Sequence, residues 1–576
     1  VKIYEVKNKH LSYVFLGLFV YVLIFIIPTL DCFYLFDWDE INFAESSREM
    51  LLTGDYFHVQ INFEPFHEKP PLFFWLQSLS MKIFGVGGFA ARFPNALLAF
   101  FTPITLFFMG KTIKDYSFGV LWASIYMCGI LPSLYFRTGI IDPYFNLFIF
   151  TSIFFGYVYL TRKQSKKRYQ ILISGLFAGL ALITKGPVAL LLIFLVFFLL
   201  FLLKKVRIGF KNLVLFSISV FVCSIFWYGH EIWQSGPWFL IEFLKYQIEL
   251  FSKPVAGHQQ PFYYHFVVLL FGCFPYSFFA IKNTLFPHEK GLNFEYLMRI
   301  LFWVVLVLFT IVTTKIVHYS SLAYFPLSYL AVVELRKIKW GKIPSNMFQF
   351  LFVSFAFILT SIFSISIYLL SYKTDFLIAL TNNIQLVEIL KTPLVWNGYE
   401  FLLPLSFLIA ALLFMLFYAK RLINAIVLFL VFNGIFFTTI GYWVLPNIDL
   451  LVQGNLINYY ESISNEKKYI STVGFKSYAH YFYAKADELT SNDELFNQKQ
   501  KVLKEEFQVS SFHELTKDQK NKFSSHIVNW MIVGNIDRPC YFVTKINRTV
   551  NQLENNKDLE VVFNRSGFKI FKRNVK

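Results

Sequence analysis

The 576-residue chain is 56% hydrophobic and contains 73 Phe, well above the roughly 45–50% apolar content of soluble domains, which excludes an ordinary globular protein and predicts a polytopic membrane protein. Its net charge of +17 is sorted loop by loop as membrane topology demands, so it calls for no nucleic-acid partner. Of the five cysteines, Cys32, Cys128, Cys223 and Cys273 sit in or beside apolar segments and Cys540 stands alone near the C-terminus; none has metal-ligand spacing, and all read as buried thiols.

In chain order, apolar windows of roughly 17–25 residues predict about thirteen transmembrane helices, near 12–30, 88–109, 116–136, 141–161, 170–184, 187–203, 211–229, 262–282, 296–314, 318–334, 347–370, 400–418 and 421–444. The first lacks a small-residue cleavage site and reads as a retained anchor. Lys and Arg gather at the N-terminus (Lys2, Lys7, Lys9) and in every second loop: Lys111/Lys114, Arg162 to Arg168, Lys204 to Lys211, Lys282/Lys290, Arg336 to Lys342 and Lys420/Arg421. The positive-inside rule makes these cytoplasmic. The first loop, the 230–261 and 371–399 loops and everything after about 445 then face outward, and the N-terminus lies inside.

The first outer loop is acidic. Between Asp31 and Lys69 it holds nine carboxylates (Asp31, Asp37, Asp39, Glu40, Glu45, Glu49, Asp55, Glu64, Glu68) and two basic residues, Arg48 and Lys69, a load that no lipid-facing segment could carry. Asp39 can cap a helix that Gly54 ends. Pro71 to Phe84 forms a second, short helix with prolines in its first turn. Both are expected at the outer membrane surface.

From about Asn447 the composition shifts to Lys, Glu, Asn and Asp, which divides the chain into a membrane body over 1–445 and a soluble outer domain over 446–576. Strands are predicted at Lys468–Gly474, Pro539–Lys545, Leu559–Phe563 and Gly567–Phe571, the last two joined by Asn564-Arg565-Ser566. Helix-prone stretches lie at Tyr478–Leu489 and Asp493–Glu506. The fold class is thus an α-helical polytopic membrane protein with a small C-terminal α/β domain.

Several ordered motifs resemble one family. Asp39-Glu40-Ile41-Asn42-Phe43-Ala44-Glu45 with Arg48-Glu49-Met50, Phe66-His67-Glu68-Lys69-Pro70-Pro71-Leu72, Ala90-Ala91-Arg92-Phe93-Pro94 and Thr184-Lys185-Gly186-Pro187-Val188 resemble the bacterial aminoarabinose transferases and the wider protein mannosyltransferase-like group, glycosyltransferase family 39. The resemblance covers about residues 10–445. It implies a bacterial inner-membrane enzyme that moves a sugar from a polyprenyl phosphate, commonly with inversion, to an acceptor outside the cytoplasm: lipid A, an envelope glycan or a protein.

The chemistry asks for residues of these types. A hydroxyl attacking an anomeric carbon needs a carboxylate to take its proton, and negative charge stabilises the oxocarbenium-like state. Asp39 matches the family's key acid and Asp142, in Arg137-Thr-Gly-Ile-Ile-Asp142-Pro143, its second; both positions also suit helix caps. Cations must meet the charge growing on the lipid phosphate, a role for Lys69 and then Arg137, although both residues also fit a membrane boundary. By the family's pattern Tyr319, in Lys315-Ile-Val-His318-Tyr319, and Lys185 also touch the phosphate; an interfacial aromatic and a polar turn between spans are the plainer readings. Glu68 and His258, the latter before Pro261-Phe-Tyr-Tyr264, match a pair that binds a divalent metal such as zinc in some aminoarabinose transferases, but two ligands are fewer than the three usual for catalytic zinc.

Asn42 departs from the family, where Arg is often found, and weakens the case for aminoarabinose as the sugar. No nucleotide cofactor is expected, since Gly85, Gly87 and Gly88 precede no Lys-Ser/Thr pair. A transporter or flippase of a lipid-linked substrate is the alternative, but it would place ionisable groups near mid-membrane; here they collect in outer loops.

Overall fold

The computed structural model describes residues 11–66, 68–161, 168–252, 259–285, 293–338, 345–546 and 553–575. Among them, eight helices are long and apolar enough to cross a membrane: Ser12–Thr29, Gly88–Ile113, Asp142–Thr161, Phe210–Gln234, Phe294–Ile311, Asn346–Tyr372, Glu400–Phe417 and Leu422–Trp443. Three shorter apolar helices, Leu72–Phe84, Tyr169–Lys185 and Val188–Leu202, accompany them. The chain is an integral membrane protein.

Three predicted spans are divided. The 116–136 segment forms Tyr116–Met127 and Ile130–Tyr135, the 262–282 segment forms Tyr264–Gly272 and Tyr276–Leu285, and the 318–334 segment begins as a 3-10 turn, Val317–Ala323, before the helix Tyr324–Ile338. Hydropathy reads an unbroken apolar run through each break, whereas Gly129 with Pro132 is where a backbone leaves and restarts a helix. Gly186 separates two short helices at a φ of +103°, and a side-chain carbon there would come within 2.4 Å of the Phe243 ring.

The acidic loop is built from the helix Asp39–Thr53, ended by Gly54 at φ +71° with its N–H on the Met50 carbonyl. Residues Glu40 to Met50 are all buried, so its polar side chains are answered by protein rather than by water. Glu40 forms a two-pronged pair with Arg92 at 3.0 Å on each arm, and the same guanidinium donates to the carbonyls of Leu30, Phe33 and Tyr34. Glu45 holds Arg48 at 2.7 Å. Glu49 accepts from the backbone N–H groups of Asn62 and Phe63 at 2.5 and 2.9 Å. These two residues turn the hairpin of β1 (Gln60–Ile61) and β2 (Glu64–Pro65) with φ of 59° and 58°.

The C-terminal domain has a four-stranded sheet in the order β3-β4-β6-β5, from Tyr469–Val473, Cys540–Lys545, Phe568–Arg573 and Glu560–Arg565. The β3/β4 pair is parallel; β4/β6 and β5/β6 are antiparallel. All four predicted strands are present. The helix Lys517–Val533, unanticipated in the sequence, opens with a capping box between Thr516 and Gln519 and packs with Glu494–Glu505 over Tyr469, Phe542 and Phe571. On its other side the domain grips the acidic loop: Leu35 N–H donates to the Tyr483 hydroxyl at 2.7 Å, Arg48 to the Ala486 carbonyl at 2.8 Å, and Tyr34 N–H to Asp449 at 2.9 Å. The apolar core runs unbroken from the membrane helices into Leu456, Ile457, Tyr460 and Phe482.

Candidate active site

The Glu40–Arg92 clamp fixes the start of the Asp39–Thr53 helix and leaves Asp39 facing away from it. No side chain caps this helix N-terminus, so Asp39 has no capping role here. It borders a cavity of about 280 Å³, close to the lower end of the range for small-molecule sites and suited to one sugar ring rather than a chain. Asp39, Glu68, Lys69, Asp142, Lys185 and Tyr319 all line this cavity. Segments some 280 residues apart in sequence have therefore delivered six of the eight candidate site residues to one space.

One wall is a relay of charge. His318 Nε2 stands 3.8 Å from Asp39 Oδ2 and 3.8 Å from Asp142 Oδ2. Asp142 Oδ1 accepts from Lys185 Nζ at 2.6 Å, and this ammonium lies 5.2 Å from the centre of the Tyr319 ring, within cation–π range. The two acids differ in access: the Asp39 side chain is 34% exposed, that of Asp142 5%. Asp142 is a neutralised ion held inside the wall, while Asp39 can meet a molecule arriving from outside.

The facing wall carries Lys69, 5.3 Å from the centre of the Tyr246 ring and 3.9 Å from Glu68. Tyr246 donates its hydroxyl to Glu68 Oε2 at 2.9 Å. Burial, then the Glu68 charge, pushes this phenol above its ordinary range, which keeps it protonated and donating. Tyr246 belongs to the helix Trp238–Ser252, in a loop that the charge alternation put on the same side as the acidic loop.

Arg137 does not reach the cavity. Its guanidinium is buried against the first helix, donating to the Phe25 carbonyl at 2.8 Å, to the Ser133 carbonyl and to Thr29 Oγ1 at 3.2 Å, with the Phe437 ring 4.9 Å away. It satisfies the Phe25 carbonyl where that helix loosens near Ile26. His258 lies outside the described residues. Glu68 is already answered by Tyr246 and Lys69, so the described residues supply one engaged carboxylate to the expected metal position and do not form a metal site there.

Sequence reasoning missed His318, Tyr246, Trp38 and Asn146, all cavity-lining. The signal for His318 was available, since an ionisable ring one residue before Tyr319 in an apolar run needs a partner.

Residues 68–228 match the family model for dolichyl-phosphate-mannose-protein mannosyltransferases, a range that includes Glu68, Lys69, Asp142 and Lys185. An undecaprenyl phosphate-α-4-amino-4-deoxy-L-arabinose arabinosyl transferase from Wigglesworthia glossinidia brevipalpis is 26% identical over 55% of this chain and 58% of its own length. One with the same description from Pectobacterium atrosepticum is 27% identical over 54% and 57%, and an uncharacterised protein of Aquifex aeolicus is 28% identical over 52% and 60%. The chain thus matches a little over half the length of these curated relatives. The fold extends further: the crystal structure of ArnT from Cupriavidus metallidurans bound to undecaprenyl phosphate superposes with a TM-score of 0.72 at 16% identity, covering 97% of this chain and 98% of that one. Over these stretches the chain is similar to the aminoarabinose transferases and to the protein mannosyltransferase model, and along nearly its whole length it shares the fold of ArnT. The acidic loop and the Thr184-Lys185-Gly186-Pro187 turn, read as separate motifs in the sequence, thus line one cavity through Asp39, Glu68, Lys69 and Lys185.

Proposed function

We propose that this chain transfers a sugar from a polyprenyl-phosphate donor to a hydroxyl of an acceptor on the outer side of the bacterial inner membrane, with inversion. Asp39 takes the proton of the acceptor hydroxyl as its oxygen forms a bond to the anomeric carbon. The bond from that carbon to the phosphate oxygen breaks on the opposite face, and the leaving polyprenyl phosphate carries the electron pair away. Lys69 and Lys185, with the Tyr319 hydroxyl, meet the charge that grows on the phosphate. Asp142, held by Lys185, supplies fixed negative charge beside the oxocarbenium-like centre. Arg137, buried against the first helix, takes no part in the transfer.

The observation that carries the reading is that the accessible acid Asp39, the neutralised pair Asp142–Lys185 and Lys69 surround one cavity of single-sugar size. Lipid A, an envelope glycan or a protein all suit the acceptor role, and Asn42, where the family often has Arg, weakens the case for aminoarabinose as the sugar. The division into a membrane enzyme over 1–445 and an outer domain over 446–576 belongs to the same proposal. A transporter would need its ionisable groups along a path through the membrane; those described here converge at one end of the helical body. Comparing the masses of envelope glycolipids and glycoproteins from cells with and without the gene tests the proposal. One class of molecule should lose a single sugar, and identical masses throughout would overturn it.

A further inference from the structure

A second constellation lies outside the cavity, where the acidic loop meets the end of the helix Phe210–Ser235. Ligand atoms of His58, His230 and Glu231 lie within 4.8 Å of one another, and none of these residues lines the cavity. Asp55 Oδ2 is 2.6 Å from His58 Nδ1, while Asp55 Oδ1 accepts from the backbone N–H groups of Phe57 and His58 at 3.0 and 3.1 Å. A carboxylate can only accept here, so the ring proton sits on Nδ1. His58 Nε2 is thereby turned to Glu231 Oε2 at 3.6 Å; in the neutral ring that is a lone pair facing a carboxylate, an arrangement that a cation between them relieves. His230 Nδ1 is buried with no hydrogen-bond partner among the described residues. Its ring packs on Phe57 at 4.3 Å, and the Phe57 carbonyl is held by Trp227 Nε1 at 2.9 Å.

We propose that His58, His230 and Glu231 bind a divalent transition metal, zinc in the first place, with Asp55 orienting His58. Two imidazoles and a carboxylate are a zinc donor set, and a carboxylate on the far nitrogen of a ligating imidazole is the arrangement that fixes its tautomer and raises its basicity. Ligands of a tetrahedral zinc at about 2.0–2.2 Å stand about 3.3 Å apart, so the three side chains close inward by rotamer adjustment on binding. The metal would clasp residues 55–58 to the helix end that leads directly into Trp238–Ser252, the helix that brings Tyr246 to Glu68 and Lys69. This site is separate from the Glu68/His258 position and does not depend on the proposed reaction.

The test uses the full-length protein in detergent, stripped by chelator and titrated with Co²⁺ alone. The wild type should bind one cobalt per chain with the strong ligand-field absorption of a four-coordinate site. His230→Ala and Glu231→Gln should lose that absorption, and Glu68→Gln should keep it. Asp55→Asn retains all three donors and should weaken cobalt affinity about 10–100-fold, which decides the matter even if His230→Ala fails to fold. An ordinary His58–Glu231 ion pair would give no cobalt spectrum in the wild type, and that result overturns the proposal. So does an Asp55→Asn affinity equal to wild type, or a spectrum lost with Glu68→Gln and retained in His230→Ala.

Discussion

Glu40, Glu45 and Glu49 along the acid-loop helix and Asp39, Glu68 and Asp142 around the cavity are the same kind of group in one structure, yet they meet different partners. The first three are closed off by Arg92, Arg48 and the hairpin amides, wholly inside protein. The second three are held by His318, Lys185, Tyr246 and Lys69, which themselves line the cavity. A buried carboxylate must be paired in either place. The difference is whether a ligand could replace the partner, and that separates a clamp from a site.

Asp39 and Glu40 put the comparison to its sharpest trial because they are adjacent. Asp39→Asn should lower transfer about 10²–10⁴-fold in a membrane assay with a polyprenyl-linked sugar and leave the thermal midpoint in detergent unchanged; undiminished transfer would remove Asp39 from the chemistry. Glu40→Gln should act the other way round, costing about 3–5 kcal/mol of stability by stranding buried Arg92, seen as a lower midpoint and reduced membrane levels. Equal losses in both assays for both variants would dissolve the distinction. Lys69→Ala should reduce turnover about 10²-fold without disturbing the fold, and a variant with normal donor saturation and turnover would place the phosphate elsewhere.

The smallest effect belongs to Glu49. Burial first, and the neighbouring Glu45 charge second, hold its carboxyl well above the ordinary glutamate range. Because the folded value exceeds the unfolded one, ionisation costs stability, fully so above the folded value and not at all below about pH 4.3. Wild type should therefore gain on Glu49→Gln as pH falls from neutral toward 5. A difference in thermal midpoint that stays flat with pH would show that Glu49 keeps its charge.

Much of the candidate site was legible because charged residues at span ends stand out against an apolar background, and for Asp39, Asp142 and Lys185 the resemblance to family motifs singled out which of them to follow. Arg137 stood out for the same reason and serves another purpose, since a guanidinium at a helix end looks alike in sequence whether it faces a phosphate or the carbonyls of Phe25 and Ser133. His318 was passed over although its ring, one residue before Tyr319, called for a partner, and Tyr246 was hidden by a loop whose path the sequence does not trace. The strands of the C-terminal domain were readable from short alternating runs, whereas Lys517–Val533 was obscured by its polar residues. Broken spans escaped because mean hydropathy is blind to one glycine or proline.

Trp38 joins these levels. Its ring lines the cavity, packs edge-on against Tyr478 at 5.4 Å and lies 5.0 Å beneath the Lys476 ammonium, so two residues of the C-terminal region stand one ring away from the cavity. The C-terminal region is therefore not a free accessory to the membrane helices. A chimera that imports a foreign C-terminal domain would carry a mismatched rim unless residues 476–486 travel together with 34–48, and acceptor choice in such hybrids should follow that shared seam rather than either half alone.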